Sequence, residues 1–190
     1  VAVSVDNKSG EIKKAKTISI VSDFADTFSR PLIHKGRIYL THTQRQGSSD
    51  STSRFHPFLI SFDAKTLENR ESIKLPFIDE TKASLVMDST ASQDEIFLSG
   101  RMNFTQNPSG ESISLAGHAF IARYNLSDKS FQVKQFNYSE RKEVVTSLFY
   151  DKENEKLFYG LTFDGPDTHS GDSLVSGVKQ YSTVLELKDF

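Results

Sequence analysis

Two histidines stand in similar local sequences about sixty residues apart, His56 in "FHPFLISFD" and His118 in "GHAFIARYN". Two residues after each histidine, a Phe begins a run that alternates between apolar and polar residues. The residue that corresponds to the histidines before a third such run is Tyr181. Imidazole and phenol groups can act as general bases, and imidazoles bind metal ions, but both also form hydrogen bonds that brace a loop. The spacing leaves a catalytic, a ligand-binding and a structural role open.

A second group of polar residues lies in "DGPDTHSGD", where Asp167 and His169 have further carboxylates on either side. Oxygen and imidazole ligands this close together could hold a cation. The run lacks the spaced carboxylates and the bidentate Glu of an EF-hand loop, so a solvated turn is the favoured interpretation. Asp50 and Asn103 lie in two other polar stretches and complete the set of candidate ligand-binding residues.

The sequence contains no signature of a known catalytic site. There is no cysteine, which excludes disulfides, thiolate metal sites and Cys nucleophiles. Nucleophile-elbow, P-loop, dinucleotide-binding and His-Glu-x-x-His motifs are also missing, and we expect no cofactor and no metal ion. The net charge of -2 comes from interspersed acids and bases, which disfavours a nucleic-acid partner. No apolar run approaches the roughly 18 residues of a membrane span.

Short alternating runs rich in Val, Ile, Phe and Tyr recur along the chain between Gly, Asn, Asp, Ser and Pro, while helical periodicity is scarce. This pattern predicts an all-β protein. The clearest predicted strands cover residues 36–44, 58–63, 94–101, 120–125 and 155–163.

An internal repeat relates these strands to one another. Val5, Phe62, Tyr124 and Leu187 are equivalent in one series of strands, and Ile38, Ile96 and Leu157 are equivalent in the series that precedes it. Each period contains four predicted antiparallel strands, here called A to D. Because a lone four-stranded sheet buries neither face, successive sheets are expected to stack and bury both.

The polar turns at Asp6–Glu11 and Asp63–Glu68 resemble the C-to-D turns of β-propellers with YVTN-type, lactonase-like or quinoprotein-like repeats. The resemblance implies one propeller segment, 1–190, with the end of a blade at 1–20, blades at 24–79 and 83–138, and an incomplete blade at 143–190. Thirteen strands cannot close a ring of four to eight blades. The chain is therefore interpreted as part of a longer propeller, and further blades from another chain or a β-sandwich remain alternatives.

In a propeller, the B-to-C connections emerge on one face, and here they are long and polar. We expect a non-catalytic module that binds a protein or a carbohydrate there, with His56, His118 and Tyr181 where the loops return. Equivalent positions of adjacent blades are too far apart to share a metal ion, which favours bracing histidines. The alternative is part of a propeller enzyme, a lactonase-like hydrolase or a lyase, whose site at the central channel could include His34 or His42.

The expected location is extracellular, at the cell surface or in the periplasm. This expectation depends chiefly on the propeller resemblance. Four Asn-x-Ser/Thr sequons, at Asn7, Asn103, Asn125 and Asn137, would suit a secreted protein, although a chain rich in Ser and Thr also produces some by chance.

Overall fold

The chain folds into antiparallel β-sheets, as the alternating pattern predicts. The computed structural model describes residues 2–5, 8, 12–16, 27–46, 54–79, 81–104, 117–136, 143–165, 179–187 and 190. No helix occurs anywhere in these ranges. The fold class predicted from the sequence, all-β with antiparallel strands, is confirmed.

Fourteen strands lie within the described residues. They are β1 (Ala2–Val5), β2 (Ile12–Lys16), β3 (Thr27–Phe28), β4 (Leu32–His34), β5 (Arg37–Gln46), β6 (Arg54–Asp63), β7 (Glu71–Lys74), β8 (Ala83–Ala91), β9 (Glu95–Phe104), β10 (His118–Asn125), β11 (Phe131–Phe136), β12 (Glu143–Asp151), β13 (Lys156–Gly165) and β14 (Lys179–Leu187).

Three larger sheets repeat one strand order. In the first sheet β3 and β4 both pair with β5, which is followed by β6 and β7. The second sheet runs β8, β9, β10, β11, and the third runs β12, β13, β14. β1 and β2 form a separate two-stranded sheet. Apart from β3 and β4, which both pair with β5, strands consecutive in sequence are neighbours in every sheet, which is the arrangement expected of tandem four-stranded repeats.

The sequence predicts thirteen strands, and the additional one comes from a break in the edge strand of the first sheet. Between β3 and β4, the backbone N–H of Ser29 donates to the carbonyl of Thr41 at 2.9 Å, and the N–H of Thr41 donates to Ser29 Oγ at 2.8 Å. Pro31 has no N–H to add to the ladder. A side-chain hydroxyl therefore takes over the pairing at the point where the backbone ladder is interrupted.

The repeat equivalences predicted from the sequence hold as strand registers. The residues of the two equivalent series are direct cross-strand partners in each sheet: Ile38 with Phe62, Ile96 with Tyr124, and Leu157 with Leu187. Since a slip of one residue would turn every side chain to the opposite face, this shared register gives the three sheets the same inward and outward positions.

The second sheet is buried on both faces. Ile96 and Leu98 of β9 belong to an apolar cluster with Tyr39 and Leu59 of the first sheet. Phe97, between them, belongs to a second cluster that includes residues of the third sheet. The sheets thus pack face to face in series, three deep, and the two-sheet sandwich left open by the sequence does not describe them.

Polar contacts join the sheets at their edges and turns. Asp88 Oδ2 in β8 accepts a hydrogen bond from the backbone N–H of Leu148 in β12 at 2.9 Å. At the β4–β5 turn of the first sheet, Lys35 Nζ pairs with Asp94 Oδ1 in the β8–β9 turn of the second sheet at 2.5 Å. These contacts fix successive sheets relative to one another in addition to the apolar packing.

The outward face of the third sheet is exposed. Val184 is 73 % exposed, whereas its equivalents Ile121 in the second sheet and Leu59 in the first are almost completely buried. Phe149 is 65 % exposed on the same face, where its ring lies 6.5 Å from that of Phe158. In the first two repeats, the equivalent face packs against the next sheet. Within the described residues, no sheet packs against this face of the third sheet.

Candidate functional site

Three long connections link equivalent strands of the three sheets. They cover residues 47–53 between β5 and β6, 105–117 between β9 and β10, and 166–178 between β13 and β14. Because these strand pairs share one register, the connections leave their sheets at equivalent ends. Three of the predicted ligand-binding residues, Asp50, Asp167 and His169, lie in them and outside the described residues.

His56, His118 and Tyr181 occupy equivalent backbone positions where the long connections return. Their cross-strand partners are Gln44, Met102 and Phe163, which are equivalent to one another in the shared register. His56 is buried, with 4 % of its surface exposed, and His118 is half-buried. The structure therefore places the three backbone positions at one level of three separate sheets.

His56 has a second buried histidine near it. His42 of β5 is paired with Phe58, two residues beyond His56 on β6, so both imidazoles lie on the same face of the first sheet. His42 is 7 % exposed, and both histidines interact with other groups of the chain. Buried and partnered imidazoles at the root of a loop fit the bracing role.

Asn103, another predicted ligand-binding residue, has a structural contact. Its Oδ1 accepts a hydrogen bond from the backbone N–H of Asp79 at 3.0 Å, and its own N–H donates to Ser84 Oγ at 3.0 Å. Its φ of 57° lies in the left-handed region, which Asn adopts more readily than most residues. Asn103 thus ties the end of β9 to the segment that links the first and second sheets.

Two buried charges near the second long connection were not predicted. Arg101 of β9 and Glu143 of β12 are 3 % and 1 % exposed, and their strands contact each other across the second and third sheets. The Arg101 guanidinium lies over the ring of Phe104, 5.1 Å from its centre. Burial of a charge is costly unless it is partnered, and both side chains interact within the chain. Single charged residues in a strand pattern normally indicate a solvated face, so no sequence signal marks them.

A cleft of about 290 Å³ opens between the first and second sheets at the opposite end from the long connections. It was also missed by sequence reasoning, because its lining comes from several strands and turns far apart in the chain. The lining residues are Lys35, Arg37, Tyr39, Ser61, Glu71, Ile73, Tyr124, Leu126 and Lys129.

The charges of the cleft are partly compensated. Arg37 Nη2 donates to Ser61 Oγ at 2.8 Å and to the carbonyl of Asn69 at 3.0 Å, and it lies 3.8 Å from Glu71 Oε2. Lys129 Nζ lies 4.0 Å from the other oxygen of Glu71. One carboxylate therefore faces two cations, at distances longer than a hydrogen bond.

Two phenols form the inner wall of this cleft. Burial raises the pKa of Tyr39 and of Tyr124, and the nearby Glu71 carboxylate acts in the same direction on both. Both tyrosines line the cleft as neutral phenols at physiological pH, since the shift moves their pKa further above an ordinary value that already lies near 10.

Within the described residues, no group of three or more His, Asp or Glu side chains could together hold a metal ion. The same part of the chain includes no helix with the length and apolar character needed to cross a bilayer. Comparison of the chain with known protein families, curated proteins and solved structures finds no match.

Proposed function

We propose that this chain is a non-catalytic β-propeller binding or scaffolding module that recognises a protein or a carbohydrate through its three long connections. The observation that carries the proposal is that equivalent strand pairs of three successive sheets all end in long connections at one end. At the other end, the connections within the three larger sheets have two to five residues, as between His34 and Arg37, except for residues 64–70 between β6 and β7. Connections that are extended in every repeat at one end of a stacked scaffold are typical of a binding surface.

The polar residues at the roots of these connections support the same proposal. His42, His56 and Arg101 are buried close to the strand ends, and Asn103 has a bonded side chain. Groups held in this way give a loop a fixed starting geometry, which reduces the entropy lost when the loop binds a ligand. The tandem packing of sheets supports the propeller assignment, in which the remaining blades come from the same or another chain.

The proposal includes export to the cell surface, the extracellular space or the periplasm. It is supported by the propeller resemblance, and the four sequons are compatible with it. The proposed ligands are polar macromolecules, and the proposal includes no nucleic-acid partner because the chain carries a nearly balanced charge of -2.

The test replaces each long connection separately by a short Asn-Gly turn and measures binding to a glycan array and to an array of secreted proteins. We expect the parent chain to bind a set of related glycans or one protein, and at least one replacement to weaken that binding by tenfold or more. The control substitutes Lys152 and Glu153, which lie in the tight β12–β13 turn at the other end, by Ser. Binding that survives all three replacements, or lactone hydrolysis that survives them, would contradict the proposal.

A further inference from the structure

We propose that the cleft between the first and second sheets binds a small aromatic carboxylate, with its ring between the sheets and its carboxylate beside Arg37 and Lys129, on the cleft side of Glu71. The cleft lies at the tight-turn end, away from the long connections, so this inference is independent of the proposed function. Its support comes from a comparison of the two sheet interfaces, from the shape of the cleft and from its charges.

The corresponding place in the next interface already holds an aromatic ring. Tyr39 pairs with Ser61 in the first sheet, and Phe97 pairs with Arg123 at the equivalent position of the second. The ring of Phe190 lies 6.0 Å from the ring of Phe97, and the Arg123 guanidinium is 4.9 Å from the centre of the Phe190 ring. The repeat therefore accommodates a ring and a cation at this position between two sheets.

In the first interface that position is a cleft. Its walls combine the ring of Tyr39, the ring of Tyr124 and the aliphatic side chains of Ile73 and Leu126. The volume of about 290 Å³ is at the lower end of the range for small-molecule sites, which suits a single ring with a short acidic substituent. Transfer of such a ring from water to these walls is favourable through the hydrophobic effect.

The charges at the mouth of the cleft favour an anion. Lys35 is compensated by Asp94, whereas Arg37 and Lys129 share the single carboxylate of Glu71 at 3.8 and 4.0 Å. The two bonds from Arg37 to Ser61 and Asn69 hold the guanidinium in place before any ligand arrives. A ligand carboxylate can accept charge-assisted hydrogen bonds from both cations, which are stronger than bonds between neutral groups.

The experiment titrates the chain with phenylacetate, and separately with its uncharged analogue phenylacetamide and with acetate, by heteronuclear NMR. We expect saturable shifts at backbone amides around Tyr39, Glu71 and Lys129, with a dissociation constant of about 1 mM, as is usual for a ligand of this size. Phenylacetamide and acetate should each bind at least fivefold more weakly, because each lacks one of the two recognised features.

Three variants locate the site. Lys129→Gln removes an exposed cation and should weaken phenylacetate binding at least threefold, while Leu126→Trp should fill the cleft and abolish saturable binding. Lys152→Gln removes an exposed lysine from a turn of the third sheet and should leave binding unchanged. Amide spectra that match the parent spectrum outside the cleft identify folded variants, and the lysine pair remains informative if Leu126→Trp does not fold. The proposal is overturned if phenylacetate does not saturate by about 20 mM, if phenylacetamide binds equally well, or if Lys129→Gln binds like Lys152→Gln.

Discussion

Asp88 of the second sheet accepts a hydrogen bond from the backbone N–H of Leu148 in the third sheet, with 2.9 Å between Oδ2 and N. Both strands are sheet edges, and the N–H lies where no neighbouring strand of its own sheet can pair with it. A side chain therefore provides the partner that the backbone ladder cannot.

We expect Asp88→Ala to lower the free energy of unfolding by about 1–2 kcal/mol, because the Leu148 N–H is left partly buried without its acceptor. Asp88→Asn keeps an acceptor oxygen and should lose less. Arg30 lies 3.7 Å from Asp88 but is 78 % exposed, so Arg30→Ala serves as the control with little effect. Urea unfolding measures all three variants, and equal losses for Ala and Asn at position 88 would show that the hydrogen bond does not matter.

The tight turns predict a loss of stability in acid. Hydrogen bonds lower the pKa values of three turn aspartates, chiefly the bond from the backbone N–H of Thr66 for Asp63, from Ser130 for Asp128, and from the side-chain amide of Asn154 for Asp151. A carboxyl whose pKa is lowered on folding stabilises the protein above its unfolded pKa of about 3.9. This contribution is lost as the pH falls through the lower folded pKa.

The urea midpoint of the parent chain should therefore fall between pH 5 and about pH 2. A variant with Asp63→Asn, Asp128→Asn and Asp151→Asn should show a smaller fall, since Asn cannot titrate. Asn125 shows that an amide can replace a carboxylate here, because its Oδ1 accepts bonds from the N–H groups of Ser127 and Asp128 at 2.8 and 3.3 Å. Parallel pH profiles for parent and variant would exclude these turns as the source of the acid sensitivity.

The two histidines at the ends of the long connections should differ in their contribution to stability. His56→Ala should cost about 1–2 kcal/mol, because the buried imidazole interacts with groups that would lose a partner. His118→Ala should cost less, because His118 is only half-buried. Thermal unfolding of both variants beside the parent tests this expectation, and any loss of affinity for a ligand found on the arrays should accompany a lower midpoint, because the imidazoles act by bracing the loops. Weakened binding with an unchanged midpoint would instead assign the histidines to a recognition site.

The exposed face of the third sheet should bind hydrophobic dyes and promote self-association. A variant with Phe149→Lys and Val184→Lys should bind less dye and scatter less light, since both side chains are mostly exposed apolar groups on one face. Ile33→Lys is the control, because Ile33 is 70 % exposed on β4 of the first sheet, away from this face. The exposed face does not promote self-association if the parent chain is monodisperse and binds little dye. The same conclusion holds if Ile33→Lys reduces dye binding and scattering as much as the double variant does.

The strands were predictable because apolar periodicity and an internal repeat both depend on the register. Their spacing alone assigned Ile96 as the equivalent of Ile38, and Tyr124 as the equivalent of Phe62. In the structure Ile38 pairs with Phe62, and Ile96 pairs with Tyr124. The strands around these residues extend somewhat beyond their predicted limits, because the ladder continues into polar residues such as Gln46 that no hydrophobic pattern marks.

Other features depend on geometry that residue types do not reveal. Leu67 and Lys129 stand four residues after Asp63 and Asn125 and have φ values of 57° and 60°. Only Gly10, at the corresponding place of the first turn sequence, signals a left-handed residue by its type. The cleft was equally unpredictable, because its lining residues come from several strands and turns that only the packing of the first sheet on the second brings together.

The shared register of the three sheets also affects how the chain reaches this structure. Because β6 and β10 share one register, β10 offers β5 the same alternation of the two faces that its own partner β6 offers. Exchanges of strands between repeats, within one chain or between two, are a common route to misfolded and domain-swapped species. The differences among the tandem copies, such as the cation and ring pairs that vary from one interface to the next, therefore help each strand to select its own neighbour.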